Sequence, residues 1–69
     1  MEEYQKRLVN EYNELNERII RLGDFINNNP KYYELVADEQ TDLYQQYQYM
    51  RMYKNCLKSR CDRQKIDLN

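Results

Sequence analysis

The sequence predicts an all-α fold: a two-helix antiparallel hairpin that assembles into a homo-oligomeric helical bundle. Three observations lead there. Apolar residues between positions 3 and 27 recur at alternating spacings of 4 and 3, the pattern of a stripe along one helix face. The 69 residues contain one Gly and one Pro, so little interrupts helix. The only cluster of breakers, Asn27-Asn28-Asn29-Pro30, falls near the middle of the chain and folds it back on itself.

The first helix is expected over 3–27. Leu8, Tyr12, Leu15, Ile19, Leu22 and Ile26 form its inner stripe. Tyr4 extends the stripe backward, and Ile20 and Phe25 widen it. Glu14 with Arg18 and Glu17 with Arg21 stand four apart in the favourable acid-first order for ion pairs. Gly23 costs about 1 kcal/mol relative to Ala inside a helix, so it marks a close helix approach or a weak last turn. Pro30 drives Asn29 out of the helical region and ends the element. A turn over 28–36 follows, in which Tyr33, Leu35 and Val36 are expected to lid the open end of the hairpin.

The second helix is expected over 37–65 with a frayed tail, the whole of 1–69 being a single helical-hairpin unit. Asp38, Glu39 and Asp42 suit the positive end of its dipole. Its inner stripe reads Leu43, Tyr47, Met50, Leu57 and Cys61, joined by Tyr53. Stepped at 100° per residue, however, the aromatic and methionine residues of 43–53 point all around the axis. A hairpin offers this helix one neighbour. Below roughly 70–80 residues a single core supplies only about 3–5 kcal/mol without a staple. Self-association is the staple the composition leaves open, most simply as a four-helix bundle of two hairpins.

Composition narrows the chemistry. The chain has no His and no Trp, two Cys, and eight Tyr among nine aromatics. Without His there is no imidazole base and no imidazole metal ligand. Cys56 and Cys61 stand five apart, too divergent on a helix to pair with each other, and two thiols fall short of a zinc site. One Gly excludes a glycine-rich phosphate loop. A non-enzymatic protein with no cofactor and no metal is expected. No apolar run reaches the ~20 residues of a membrane span, and no secretory h-region opens the chain, so a reducing, cytoplasmic location is expected. Charge is uneven: residues 1–50 hold 5 basic and 10 acidic groups, whereas 51–69 hold 6 basic and 2 acidic. The cationic end is modest beside the strongly basic domains of duplex binders, which disfavours a nucleic-acid partner.

The aromatic and cationic groups suit a small, anionic, ring-bearing ligand, since phenol rings stack on bases and guanidinium groups fork onto phosphates. Gln46, Tyr53 and Arg60 are seven apart and share one stripe of the second helix. Two readings of that stripe stand: polar groups that set register and partner choice in a bundle, or groups that face a cavity between subunits and meet a ligand there. Tyr49 adds a further ring, and Arg18 and Arg21 of the first helix are additional anion holders unless Glu14 and Glu17 occupy them.

Two blocks carry a resemblance. The first is Tyr4-Gln5-x-Arg7-x-x-x-Glu11-x-x-Glu14-Leu15-x-Glu17-Arg18-Ile19-x-Arg21-Leu22-x-x-Phe25-Ile26. The second is Leu43-Tyr44-x-Gln46-x-x-x-Met50-x-x-Tyr53-x-x-Cys56-Leu57-x-x-Arg60-Cys61. The chain resembles a family of short two-helix proteins of unknown role from crAss-like and related tailed phages. The family pattern has aliphatic residues at Tyr44, Tyr47, Cys56 and Cys61 and a small residue at Tyr49, so ligand or subunit contacts differ there. The resemblance implies a phage accessory protein acting in the bacterial host cytoplasm. By analogy with small helical phage oligomers that soak up cyclic-nucleotide immune signals, it implies a self-associating sponge that counters host defence. The alternative is an inhibitor or adaptor that grips a host protein through the Tyr and Met residues of 44–52.

Overall fold

A computed structural model describes residues 1–68; Asn69, the last residue of the expected 1–69 unit, lies outside them. Helix α1 spans Glu3–Asn28, a short 3-10 helix spans Pro30–Glu34, and helix α2 spans Ala37–Arg63. Among the described residues there is no strand. The helices pack along their length and the molecule measures 45 × 16 × 16 Å. Contacts pair low numbers with high ones: Leu8 shares a cluster with Ile66, the Lys54 ammonium sits 5.8 Å from the Tyr12 ring centre, and Gly23 meets Tyr47. The hairpin is therefore antiparallel.

Local chemistry explains where each element begins and ends. At the start of α1 the Glu2 N–H donates to Gln5 Oε1 at 3.0 Å, which satisfies one of the open donors of the first turn. The Asn29 side chain accepts from the Lys31 N–H at 3.0 Å, and Pro30 occupies the first position of the 3-10 turn, where its missing N–H is harmless. That turn delivers Tyr32, not Tyr33, to the interior. Tyr32 is 8% exposed and meets Phe25 edge to face at 6.2 Å, and its hydroxyl donates to the Gln40 carbonyl at 2.9 Å. Gln40 closes the corner by donating to the Leu35 carbonyl at 2.8 Å. Leu35 is half-buried, while Tyr33 and Val36 stand out in solvent. Adjacent residues of a tight turn cannot share one face, which corrects the expected lid.

Helix α2 ends two residues before the expected boundary, and its tail is held. Lys65 adopts a left-handed backbone with φ 57°; its N–H donates to the Asp62 carbonyl at 3.0 Å, and the Ile66 N–H reaches the Cys61 carbonyl at 2.9 Å. These two bonds make a Schellman cap, usually built with glycine. Here the cap turns Ile66 back onto Cys61, and both are buried in the core.

Buried Leu8, Leu15, Ile19, Leu57, Cys61 and Ile66 form that core, with Tyr12, Tyr47 and Met50 packed partly against it. Leu57 is 1% exposed and Cys61 0%. The α1 stripe follows expectation except at its margins, since Ile20 and Tyr4 are exposed. On α2 the expected Tyr53 is exposed, and the half-buried Lys54 takes the place beside Tyr12. The 100° step explains it: Tyr53 lies about 80° from the line joining Leu43 to Cys61, whereas Lys54 lies close to it. Gly23 is a close approach: a Cβ there would stand 3.0 Å from Tyr47 Cε1 and 3.1 Å from its hydroxyl.

Two substitutions test this account. Leu57→Ala should lose about 2–5 kcal/mol, comparable with all that so small a core supplies, and its circular dichroism should show a largely unfolded chain at room temperature. Lys65→Gly should raise the urea midpoint by an amount worth about 0.5–1 kcal/mol, because glycine adopts the left-handed cap without a Cβ clash.

Candidate functional site

The helical period leaves α2 with two working faces. One carries Leu57 and Cys61 to α1. The other presents Asp42, Gln45, Gln46, Tyr49, Met50 and Tyr53, which line an open groove along the outside of the helix. All six come from α2, so the groove has a floor and no opposite wall. Tyr49 is 66% and Tyr53 46% exposed, an unusual amount of ring surface to leave in water. The Gln46 amide rests on Met50 Sδ at 3.9 Å, a weak contact that leaves its carbonyl and second N–H available.

The cations of the C-terminal end divide into engaged and unengaged groups. Arg51 lies 5.7 Å over the Tyr47 ring, Lys54 covers Tyr12, and Lys58 pairs with Asp62 at 3.2 Å. Arg60 and Arg63 are exposed, and among the described residues neither has an ion-pair partner in its own chain. Arg60 is thus an unspent guanidinium two turns beyond Tyr53, on the same stripe.

Of the residues expected to hold a ligand, the structure brings Gln46, Tyr49 and Tyr53 together in the groove and sets Arg60 further along the same face. Arg18 and Arg21 are exposed on α1 and do not line it. Neither forms the expected ion pair with Glu14 or Glu17; among the described residues the ion pair is Lys58–Asp62. Asp42 and Gln45 were not singled out as ligand contacts, although 42, 45, 49 and 53 carry a helical spacing that places them on one line. Met50 was assigned to the seam, yet it is half-buried and serves both faces.

The two thiols differ. Cys56 is exposed and Cys61 buried. Burial pushes the Cys61 thiol above its ordinary value, and the Asp62 carboxylate pushes it the same way, against the opposing pull of Arg60 and Lys58. Among the described residues no group of three or more Cys, Asp or Glu side chains is arranged to hold a metal. Among the described residues no helix is long and apolar enough to cross a membrane.

With this geometry in view, comparison with known proteins is informative at one point. A family model described as Sequestin matches residues 2–63. The match spans α1, the turn and the whole of α2. The chain belongs to the Sequestin family. The name describes a small sequestering protein, a binding role rather than a catalytic one. Neither curated proteins nor solved structures yield a match.

The raised Cys61 value gives a test of the core behind the groove. A thiol held neutral by folding stabilises the fold fully below its unfolded pKa, and that contribution is lost as pH rises through the folded value. Urea stability of the native chain should therefore fall more steeply above pH 9 than that of Cys61→Ala. Near neutral pH a maleimide should label Cys56 in the folded protein and reach Cys61 after denaturation.

Proposed function

We propose that this Sequestin-family chain binds and sequesters a small anionic nucleotide, of the cyclic immune-signal class, in a pocket between subunits, and does no chemistry on it. The observation that carries the reading is the gathering of Gln46, Tyr49 and Tyr53 in one outward groove. Two phenol rings offer stacking surface to a base. The Gln46 amide offers paired donor and acceptor to a base edge. Asp42 at one end of the groove repels phosphate, and Arg60 beyond the other end attracts it, so the ligand lies with its phosphates toward the C-terminus of α2. The missing wall is supplied by another copy. A sponge needs affinity without turnover, which agrees with a chain that has no His and keeps one of its two thiols buried. In this reading it is a phage accessory protein of the host cytoplasm that lowers the free concentration of a defence signal.

A second reading rests on Tyr44 and Met52, which are 52% and 61% exposed and do not line the groove. They fit an interface with a host protein better than a nucleotide pocket.

Thermal shift over a panel of cyclic dinucleotides, cyclic trinucleotides and cyclic ADP-ribose isomers separates the two. A ligand at a hundred times its Kd adds about 2.7 kcal/mol to the folded state. One member of the panel should raise the melting temperature by several degrees. Gln46→Ala should reduce that gain while keeping the helical spectrum and the oligomer, and Tyr53→Ala should remove it while keeping the helical spectrum. A panel that leaves the melting temperature unchanged throughout would sink the nucleotide reading.

A further inference from the structure

The outer stripe of α2 is ordered by charge. Stepped at 100° per residue, Asp38 and Asp42, then Gln45, Tyr49, Tyr53 and Cys56, then Arg60 and Arg63 fall within about 40° either side of one line. Every one of them is exposed. Acid stands at one end, neutral rings and amide in the middle, base at the other. Among the described residues none of the four charged groups has an ion-pair partner in its own chain.

We infer that this stripe is the docking surface for a second copy of the chain, laid antiparallel across α2 with its two-fold axis between residues 50 and 51. One register brings every pair on the line opposite to within one residue, about 1.5 Å of helix rise. It sets Asp38 opposite the second copy's Arg63 and Asp42 opposite its Arg60. It also sets Gln45 against Cys56 and Tyr49 against Tyr53. By symmetry each pairing occurs twice. Parallel docking places aspartate on aspartate and arginine on arginine, which opposes association. The same face explains why α2 carries rings on both sides: the seam to α1 consumes one, and the second copy takes the other. This pairing gives the groove its missing wall, and to that extent rests on the functional reading above, but it forms without a ligand.

The test is charge reversal in nucleotide-free protein, read by sedimentation velocity with circular dichroism as the check on folding. The native chain should sediment as a pair or a multiple of it. Asp38→Lys with Asp42→Lys makes the stripe wholly basic, and Arg60→Glu with Arg63→Glu makes it wholly acidic. Each double variant alone should associate at least about tenfold more weakly. Mixed in equal amounts they should recover association, because each basic stripe meets an acidic one. If either reversal unfolds the chain, the neutral changes Asp42→Asn and Arg60→Gln carry the test, and each should weaken association on its own. A native chain that sediments as a single folded copy would overturn the inference. So would variants that pair as tightly as the native chain, or a mixture that stays dissociated. None of these outcomes depends on nucleotide binding, which the thermal-shift panel reads separately.

Discussion

The hairpin depends on one narrow contact, the place where Leu57 and Cys61 of α2 lie against Leu8, Leu15 and Ile19 of α1, with Ile66 folded over the end. Elsewhere the two helices touch through half-buried groups: Tyr47 over Gly23, Met50, and Tyr12 beneath Lys54. Apolar burial is the main favourable term in folding, and it scales with the area removed from water. A single seam removes little. The chain adds what local devices it can. These are a side-chain cap at Glu2, an asparagine–proline turn, the Tyr32–Gln40 corner and the Schellman cap at Lys65. Caps of this kind contribute about 0.5–2 kcal/mol each at best, which trims the shortfall without removing it.

From that shortage follows the behaviour of α2. Its apolar residues are spread around its circumference, as the proposed pairing with a second copy requires, while α1 concentrates its own on one side. Tyr49, Tyr53 and Met52 lose little by being exposed in a lone hairpin only if they are covered for part of the time. Charge then decides what covers them. Cations on the flank of α2 are engaged by Tyr47, Tyr12 and Asp62. Those on the outer line are left over, as are the aspartates at its far end. In the proposed assembly recognition and stability share this face, so a ligand bound there would also strengthen the pairing.

Much of the hairpin could be read from spacing. The α1 stripe, the break at Asn29-Pro30 and the α2 start near Asp38 all follow from rules that act within a few residues. What escaped depends on exact angle or on tertiary closure. Tyr32 rather than Tyr33 faces inward because a 3-10 turn advances by three residues, and sequence alone does not set its phase. Tyr53 yields the seam to Lys54, whose long stem packs on Tyr12 while its charge stays wet. Helix α2 stops short of the spacing-based boundary at a left-handed Lys65, a residue type that is a poor marker for such a cap. Only the burial of Ile66 explains why that strain is accepted. Gln46, Tyr49 and Tyr53 were legible as one cluster, since a seven-residue spacing and a four-residue step keep them on one face. Asp42 and Gln45 belong to it by the same period, but neither residue type signals a site by itself. Arg18 and Arg21 were candidates by charge alone, and charge without a shared face does not gather a site.

The central claim is that one hairpin is too thinly cored to stand without a neighbour on α2. Its most direct test is the melting temperature of the native chain across a hundredfold range of protein concentration, without ligand. A fold completed by association melts at a higher temperature as concentration rises, and the account predicts such an upward drift together with steepening of the transition. A cooperative melt at one temperature throughout the range would contradict it.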